Sequence, residues 1–217
     1  TGYVRGLYRM PGVRDEAADL IESRFMRAVD DAASYAMLRL LDKNMNGWPA
    51  QIRSAWSVFI IGLLMRSPKS VDDVKYKMNE GWPKLWERER QRLLKEDPSA
   101  PPLGDYDPTA TERSSLIALQ GFINNPRVGQ LINNMRWSIC DVSETKHRLL
   151  TSDRPVVMTN GIGTQNGHFA IALSPALLFL ASYSLEIEQS IHRMKPKELV
   201  STYNKQIVRN AIKYVWG

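Results

Sequence analysis

Asp141, Glu144, Lys146 and Asp153 place three carboxylates and an ammonium within one short stretch of the chain. Carboxylates so grouped can hold a divalent cation that polarises a phosphodiester, and a neighbouring lysine can steady the charge developing on the phosphoryl oxygens. On that chemistry the chain reads as a metal-assisted, nuclease-like hydrolase of phosphoesters. The same stretch has a plainer reading, because Ser143-Glu144-Thr145-Lys146 is turn composition and needs no function. Transition-metal sites are not indicated: His147, His168 and His192 stand far apart, and Cys140 is the single cysteine. No phosphate-binding loop, dinucleotide fingerprint or Gly-x-Ser-x-Gly elbow occurs, so no metal site is assigned and the cofactor is left open.

A second chemistry is electrostatic. With 29 basic against 23 acidic residues the net charge is +6, which attracts anionic partners at long range without demanding one. Lys205, Arg209 and Lys213 recur at i, i+4 and i+8 in the last helical segment and could offer a basic stripe to phosphates. In Lys84 to Lys95 the bases alternate with Glu87 and Glu89, which points to pairing along a helix instead. Of the two functions weighed, a non-catalytic binding module for a macromolecular or anionic partner is preferred to the hydrolase, since no catalytic constellation is complete. Nucleic acid fits that partner, and a homo-oligomer is compatible with the apolar content. A membrane is not expected: the longest apolar run, Ala55 to Met65, is about half the ~20 residues a spanning helix needs.

Arg66, Asp153 and Arg154 complete the candidate residues. Thr151-Ser152-Asp153-Arg154-Pro155 sets short polar side chains before a proline, a recipe for a turn in which Asp153 caps backbone N–H groups. The functional alternative has Asp153 and Arg154 lining a cleft and acting on a ligand. Arg66 ends the most apolar helix, so its guanidinium needs an acceptor, and a bidentate pair with Asp153 is the expected solution.

The elements that must position these residues follow from periodicity and breakers. Gly2 to Tyr8 has strand composition up to the turn at Pro11-Gly12. Ile21, Phe25, Val29, Ala32, Ala36 and Leu40 give a helix from about Asp15 to Leu41. Pro49 opens a core helix that ends before Pro68. Ser70 suits an N-cap for a charged helix to about Glu96, with a kink or break near Gly81-Trp82-Pro83. Asp97 to Pro108 is a proline-rich loop, Thr111 to Phe122 is helical, and weaker helical patterning runs from Pro126 to Met135. Strands are expected at Trp137 to Val142, Arg148 to Leu150, Val156 to Thr159 and His168 to Leu173, the last two joined by a glycine-rich hairpin over 160–167. Helices from Leu185 to Met194 and Pro196 to Tyr214 close the chain and should dock on the sheet. The fold class is α+β, mainly α, as one domain over 1–217: mainly helical to 135, β-rich over 136–182, helical thereafter.

Leu149-Leu150-Thr151-Ser152-Asp153-Arg154-Pro155-Val156, followed by Leu173-Ser174-Pro175, carries a pattern of an apolar residue, Thr-Ser-Asp-x-Pro-Val and a later Leu-Ser-Pro. Together with Met65-Arg66-Ser67-Pro68 and Ile21-Glu22, in that order along the chain, it resembles an uncharacterised bacterial family called domain of unknown function 4238. The resemblance implies that a His-Tyr-Val-Pro-like stretch belongs upstream of Thr1, so that this chain lacks the family's N-terminal segment. It implies no established activity. A lone cysteine in an apolar alternating stretch reads as a buried, reduced thiol, and the expected location is cytoplasmic.

Overall fold

The computed structural model describes residues 7–45, 47–99 and 107–217. In chain order the helical elements before the sheet are α1 (Asp15–Ala18), a π-helical turn (Ile21–Met26), α2 (Arg27–Leu41), α3 (Ala50–Met65), α4 (Pro68–Glu96), α5 (Pro108–Ile123) and α6 (Pro126–Asn133). Strands β1 (Arg136–Asp141), β2 (Thr151–Ser152), β3 (Val157–Thr159), β4 (His168–Ser174) and β5 (Leu177–Ser182) follow, then α7 (Leu185–His192), α8 (Pro196–Asn210) and β6 (Val215–Trp216). The chain is α+β and mainly helical, with its small antiparallel sheet in the last third and the C-terminal helices packed on that sheet. It gathers into two compact units, one of Met26–Ser67 with Ile123–Gly217, the other of Pro68–Phe122 with the stretch ending at Phe25.

The first unit is built around a four-stranded sheet in the order β1-β5-β4-β3, antiparallel throughout. β5 is its hydrogen-bonded centre, and Leu178, Phe179, Leu180 and Ala181 are all buried, because both faces of the sheet are covered. On one face Trp137, Phe169, Ile171 and Phe179 meet α2, α3 and α6 through Leu40, Trp56, Ile60 and Ile132. Phe179 is the hub, with its ring edge-to-face against Trp56 at 5.6 Å and Trp137 at 5.3 Å. Each such aromatic buries about 150–250 Å², roughly 4–6 kcal/mol at ~25 cal/mol per Å² as an upper bound. Arg53 of α3 closes that layer: it donates to the carbonyls of Asn133 (2.8 Å) and Met135 (2.6 Å), and its guanidinium stacks 3.8 Å from the Trp137 ring centroid.

On the other face α8 presents Leu199, Val200, Tyr203 and Ile207 to Cys140, Ala170, Leu178 and Leu180. Burial pushes the Cys140 thiol up to about 11, so it stays protonated at neutral pH. The Tyr203 hydroxyl accepts from the Ala172 N–H at 2.9 Å and donates to the Pro155 carbonyl at 3.3 Å, which pins α8 to β4 beside the bulge between Ala172 and Ser174. Its own burial raises it to about 12.

In the second unit, Lys75 of α4 and Glu112 of α5 pair at 2.6 Å. Arg113 donates to the Pro11 carbonyl at 3.2 Å, and Met10 N–H donates to the Ala18 carbonyl at 2.8 Å. Val71 is the buried residue of α4, whose outer turns carry the pairs Arg90–Glu87 and Arg92–Glu89. That is the pairing expected over 84–95.

Several boundaries differ from the sequence reading, each for a local reason. α4 has no break at Gly81-Trp82-Pro83; it continues through Pro83, followed by strong helix formers and i,i+3 ion pairs. Its first residue is Pro68, a proline suited to a first turn, and not Ser70. Arg148 to Leu150 is not a strand, because its backbone bonds to a helix side chain; the strand there is β2, paired with β6. β5 was not separately expected, since a strand covered on both faces shows an unbroken apolar run in place of alternation. α8 stops at Asn210, short of Tyr214. The expected N-terminal strand falls on residues 2–8, of which 2–6 lie outside the described residues, and the proline loop lies largely in 100–106, also outside them.

Tyr203→Phe should leave the Ala172 N–H without its acceptor in a dry layer and cost about 1–3 kcal/mol. The check is urea denaturation: the midpoint falls while the slope stays unchanged.

Candidate basic groove

α8 begins where Lys195 is extended and Pro196 fixes the first helical φ. From there Lys197, Ser201, Lys205 and Arg209 follow at four-residue steps and form a stripe that winds slowly round the helix, roughly 18 Å long at 1.5 Å per residue. The opposite side of the helix is the apolar one described above.

Facing the stripe is the chain that leaves β1. Asp141 starts it with a turn: its carboxylate accepts from the Ser143 N–H at 2.9 Å and pairs with Lys43. These donors hold Asp141 well below the usual carboxylate range, the Lys43 bond first among them. Thr145 then accepts from the His147 N–H, and its carbonyl accepts from Arg148 at 3.1 Å. Asn204 of α8 fixes the run, accepting from the Leu150 N–H at 2.9 Å and donating to the Arg148 carbonyl at 2.8 Å. The amide thus serves two backbone groups as a neighbouring strand would.

Between these walls lies a groove of about 550 Å³. Its lining includes five basic side chains, His147, Arg148, Lys197, Lys205 and Arg209, and no acidic one. Among the described residues none of the five has a carboxylate within ion-pair distance, in contrast to the paired bases of α4. Val200 and Val208 give the floor apolar character. Such a surface can hold phosphate or another multivalent anion, and it contains no carboxylate to serve as base or metal ligand.

Two of the expected basic residues, Lys205 and Arg209, meet in this groove. Lys213 does not line it: it lies beyond the helix end, its ammonium 5.2 Å from the Tyr214 ring centroid. Lys197, His147 and Arg148 were missed. Lys197 was legible one stripe step before Ser201, whereas no periodicity links a loop at 147–148 to α8.

The hydrolase candidates separate. Asp141 is engaged by Lys43, and Asp153 turns to the chain after α8, its carboxylate accepting from the N–H groups of Ile212 (3.0 Å), Lys213 (2.8 Å) and Tyr214 (3.4 Å). Glu144 and Lys146 are exposed on the loop. Among the described residues no three His, Cys, Asp or Glu side chains are grouped so as to hold a metal ion.

Arg66 and Asp153 are not paired. Arg66 donates to Asp30 of α2 at 2.6 Å, because α3 packs on α2 and offers that carboxylate nearer at hand, while Asp153 spends its oxygens on backbone N–H groups. Capping by Asp153 was expected, but its partners lie about sixty residues downstream. A cleft of about 180 Å³ does open beside this turn, lined by Leu63, Leu64, Arg154, Val156, Met158 and Asn210. Arg154 therefore faces a cleft and Asp153 does not.

Asp153→Ala should free the segment after α8 from its acceptor and lower stability by about 1–2 kcal/mol. Amide exchange would show it as faster exchange at Ile212, Lys213 and Tyr214, with β4 and β5 protection retained relative to global stability.

No curated protein and no solved structure matches the chain. One family model does, over residues 1–217, its description being a protein of unknown function, DUF4238. The Thr-Ser-Asp turn that carried the resemblance is thus the latch on β6, and the chain belongs to the DUF4238 family.

Proposed function

We propose that the protein is a non-catalytic binding module whose α8 groove receives a phosphate-bearing anionic partner, with nucleic acid the polymer that suits its length and charge. The observation that carries this reading is the lining itself: five basic side chains on two facing walls, with no acid among them. Lysine and arginine left without carboxylate partners are free to displace the counterions of a polyanion, which is the main source of sequence-independent affinity. The overall charge of +6 adds long-range attraction.

The phosphoester-hydrolase alternative has less support. It needs carboxylates converging on one ion, and Asp141 and Asp153 are each committed to other donors. A buried, protonated cysteine suits a reducing compartment such as the cytoplasm. Among the described residues no helix is long and apolar enough to cross a membrane.

Fluorescence anisotropy with labelled mixed-sequence oligonucleotides between 50 and 200 mM salt tests the proposal. If the four lysine and arginine groups engage phosphates, log affinity should fall against log salt with a slope of about −3 to −4. Reversing two charges, Lys205→Glu with Arg209→Glu, should weaken binding at least tenfold at the lower salt. Undetectable binding there, or affinity indifferent to salt, overturns the reading.

A further inference from the structure

Both walls of the basic groove lead, along the chain, to the same small ladder. Beyond Arg148 the loop wall reaches Thr151 and Ser152, which form β2. Beyond Arg209 the helix wall passes Ala211 and becomes the Lys213–Trp216 segment, whose last two residues form β6 and pair with β2, Thr151 opposite Trp216 and Ser152 opposite Val215. Trp216 therefore sits across from Thr151, which is only three positions on from Arg148, so at most about 10 Å of chain separates that partner from the groove wall.

That ladder carries aromatic surface. Tyr214 and Trp216 alternate along an extended segment and so share a face. Their rings are stacked, with centroids 5.6 Å apart and planes 19° from parallel. Trp216 is 44% exposed, and Lys213 lies over the Tyr214 ring. The segment is held in place by Asp153, which accepts from the N–H groups of Lys213 and Tyr214 and from that of Ile212 just before them, and by the return bond from the Asp153 N–H to the Tyr214 carbonyl at 3.2 Å. An exposed indole on a backbone so fixed presents a π-face without needing to be ordered when a partner arrives.

Resting on the binding reading above, we infer that the polymer is single-stranded nucleic acid: phosphates follow the α8 track and an unpaired base stacks on the Tyr214–Trp216 pair. A duplex can satisfy the cations but keeps its base faces inside the stack. Only an unpaired base offers a face to Trp216, and stacking of that kind tolerates any sequence. The one amide of the lining, Asn204, is already spent on the Leu150 N–H and the Arg148 carbonyl, so what the groove chiefly offers is charge, which does not discriminate sequence.

The test compares three labelled probes of equal length at low salt: a mixed-sequence single strand, its duplex, and a fully abasic strand that keeps the phosphates. The wild-type chain should hold the single strand more tightly than the abasic strand, and Trp216→Ala should lower single-strand affinity about fivefold or more while leaving the abasic and duplex affinities unchanged. Trp216→Phe should restore much of the loss, and far-UV circular dichroism with thermal melting confirms that each variant is folded. If Trp216→Ala binds all three probes as the wild type does, the stacking inference is overturned and the groove reading stands. If no probe binds the wild type, the groove reading itself falls and takes this one with it. Binding to phosphatidylserine vesicles that depends on Trp216, with no preference for bases over abasic phosphate, overturns the inference in favour of an anionic lipid surface.

Discussion

Two adjacent side chains of α8 hold together what the rest of this unit depends on. Tyr203 reaches inward and bonds to the backbone of β4 and of the Pro155 turn, while Asn204, one residue on, reaches sideways to the backbone of the loop after β1. A helix lying on a sheet through apolar contacts alone can slide by a fraction of a turn at modest cost. Directional bonds from a phenol and an amide fix both its height on the sheet and its distance from the loop. The basic groove is the space left between those two attachments.

The charge arrangement differs between the two units. Along α4, arginines sit three or four residues from glutamates, and each such exposed pair contributes little beyond solubility. Along α8, Lys197, Lys205 and Arg209 have no carboxylate within ion-pair distance among the described residues. A polyanion bound there would meet cations that no carboxylate of the chain already pairs, and by mass action it would add to the stability of the folded state.

How much was legible in the sequence depended on how local the cause was. α3 could be read because its apolar run lies between two prolines, Pro49 and Pro68, and the hairpin over 160–167 because Asn160, Gly161 and Gly163 supply the positive φ angles it needs. Lys205 and Arg209 were visible since one helix sets their spacing. Lys213 was misplaced because the end of α8 is decided by Asp153, a residue about sixty positions earlier that captures the N–H groups a further helical turn would have used. His147 and Arg148 were invisible for the same kind of reason: their place opposite α8 is set by Asn204, and no local pattern records a side chain that acts as a strand. The partner of Arg66 was misjudged because helix packing brought Asp30 closer than the sheet turn did.

The state of Cys140 bears on how the groove can be studied. It is the one thiol of the sequence, it is buried in the layer between α8 and the sheet, and it remains protonated at neutral pH. Maleimides and disulfide reagents react with accessible thiolates, so the native chain is close to silent toward them. A cysteine introduced on the groove rim would then be the single reactive position, and a spin label, fluorophore or photo-crosslinker could be placed there without first removing a core residue.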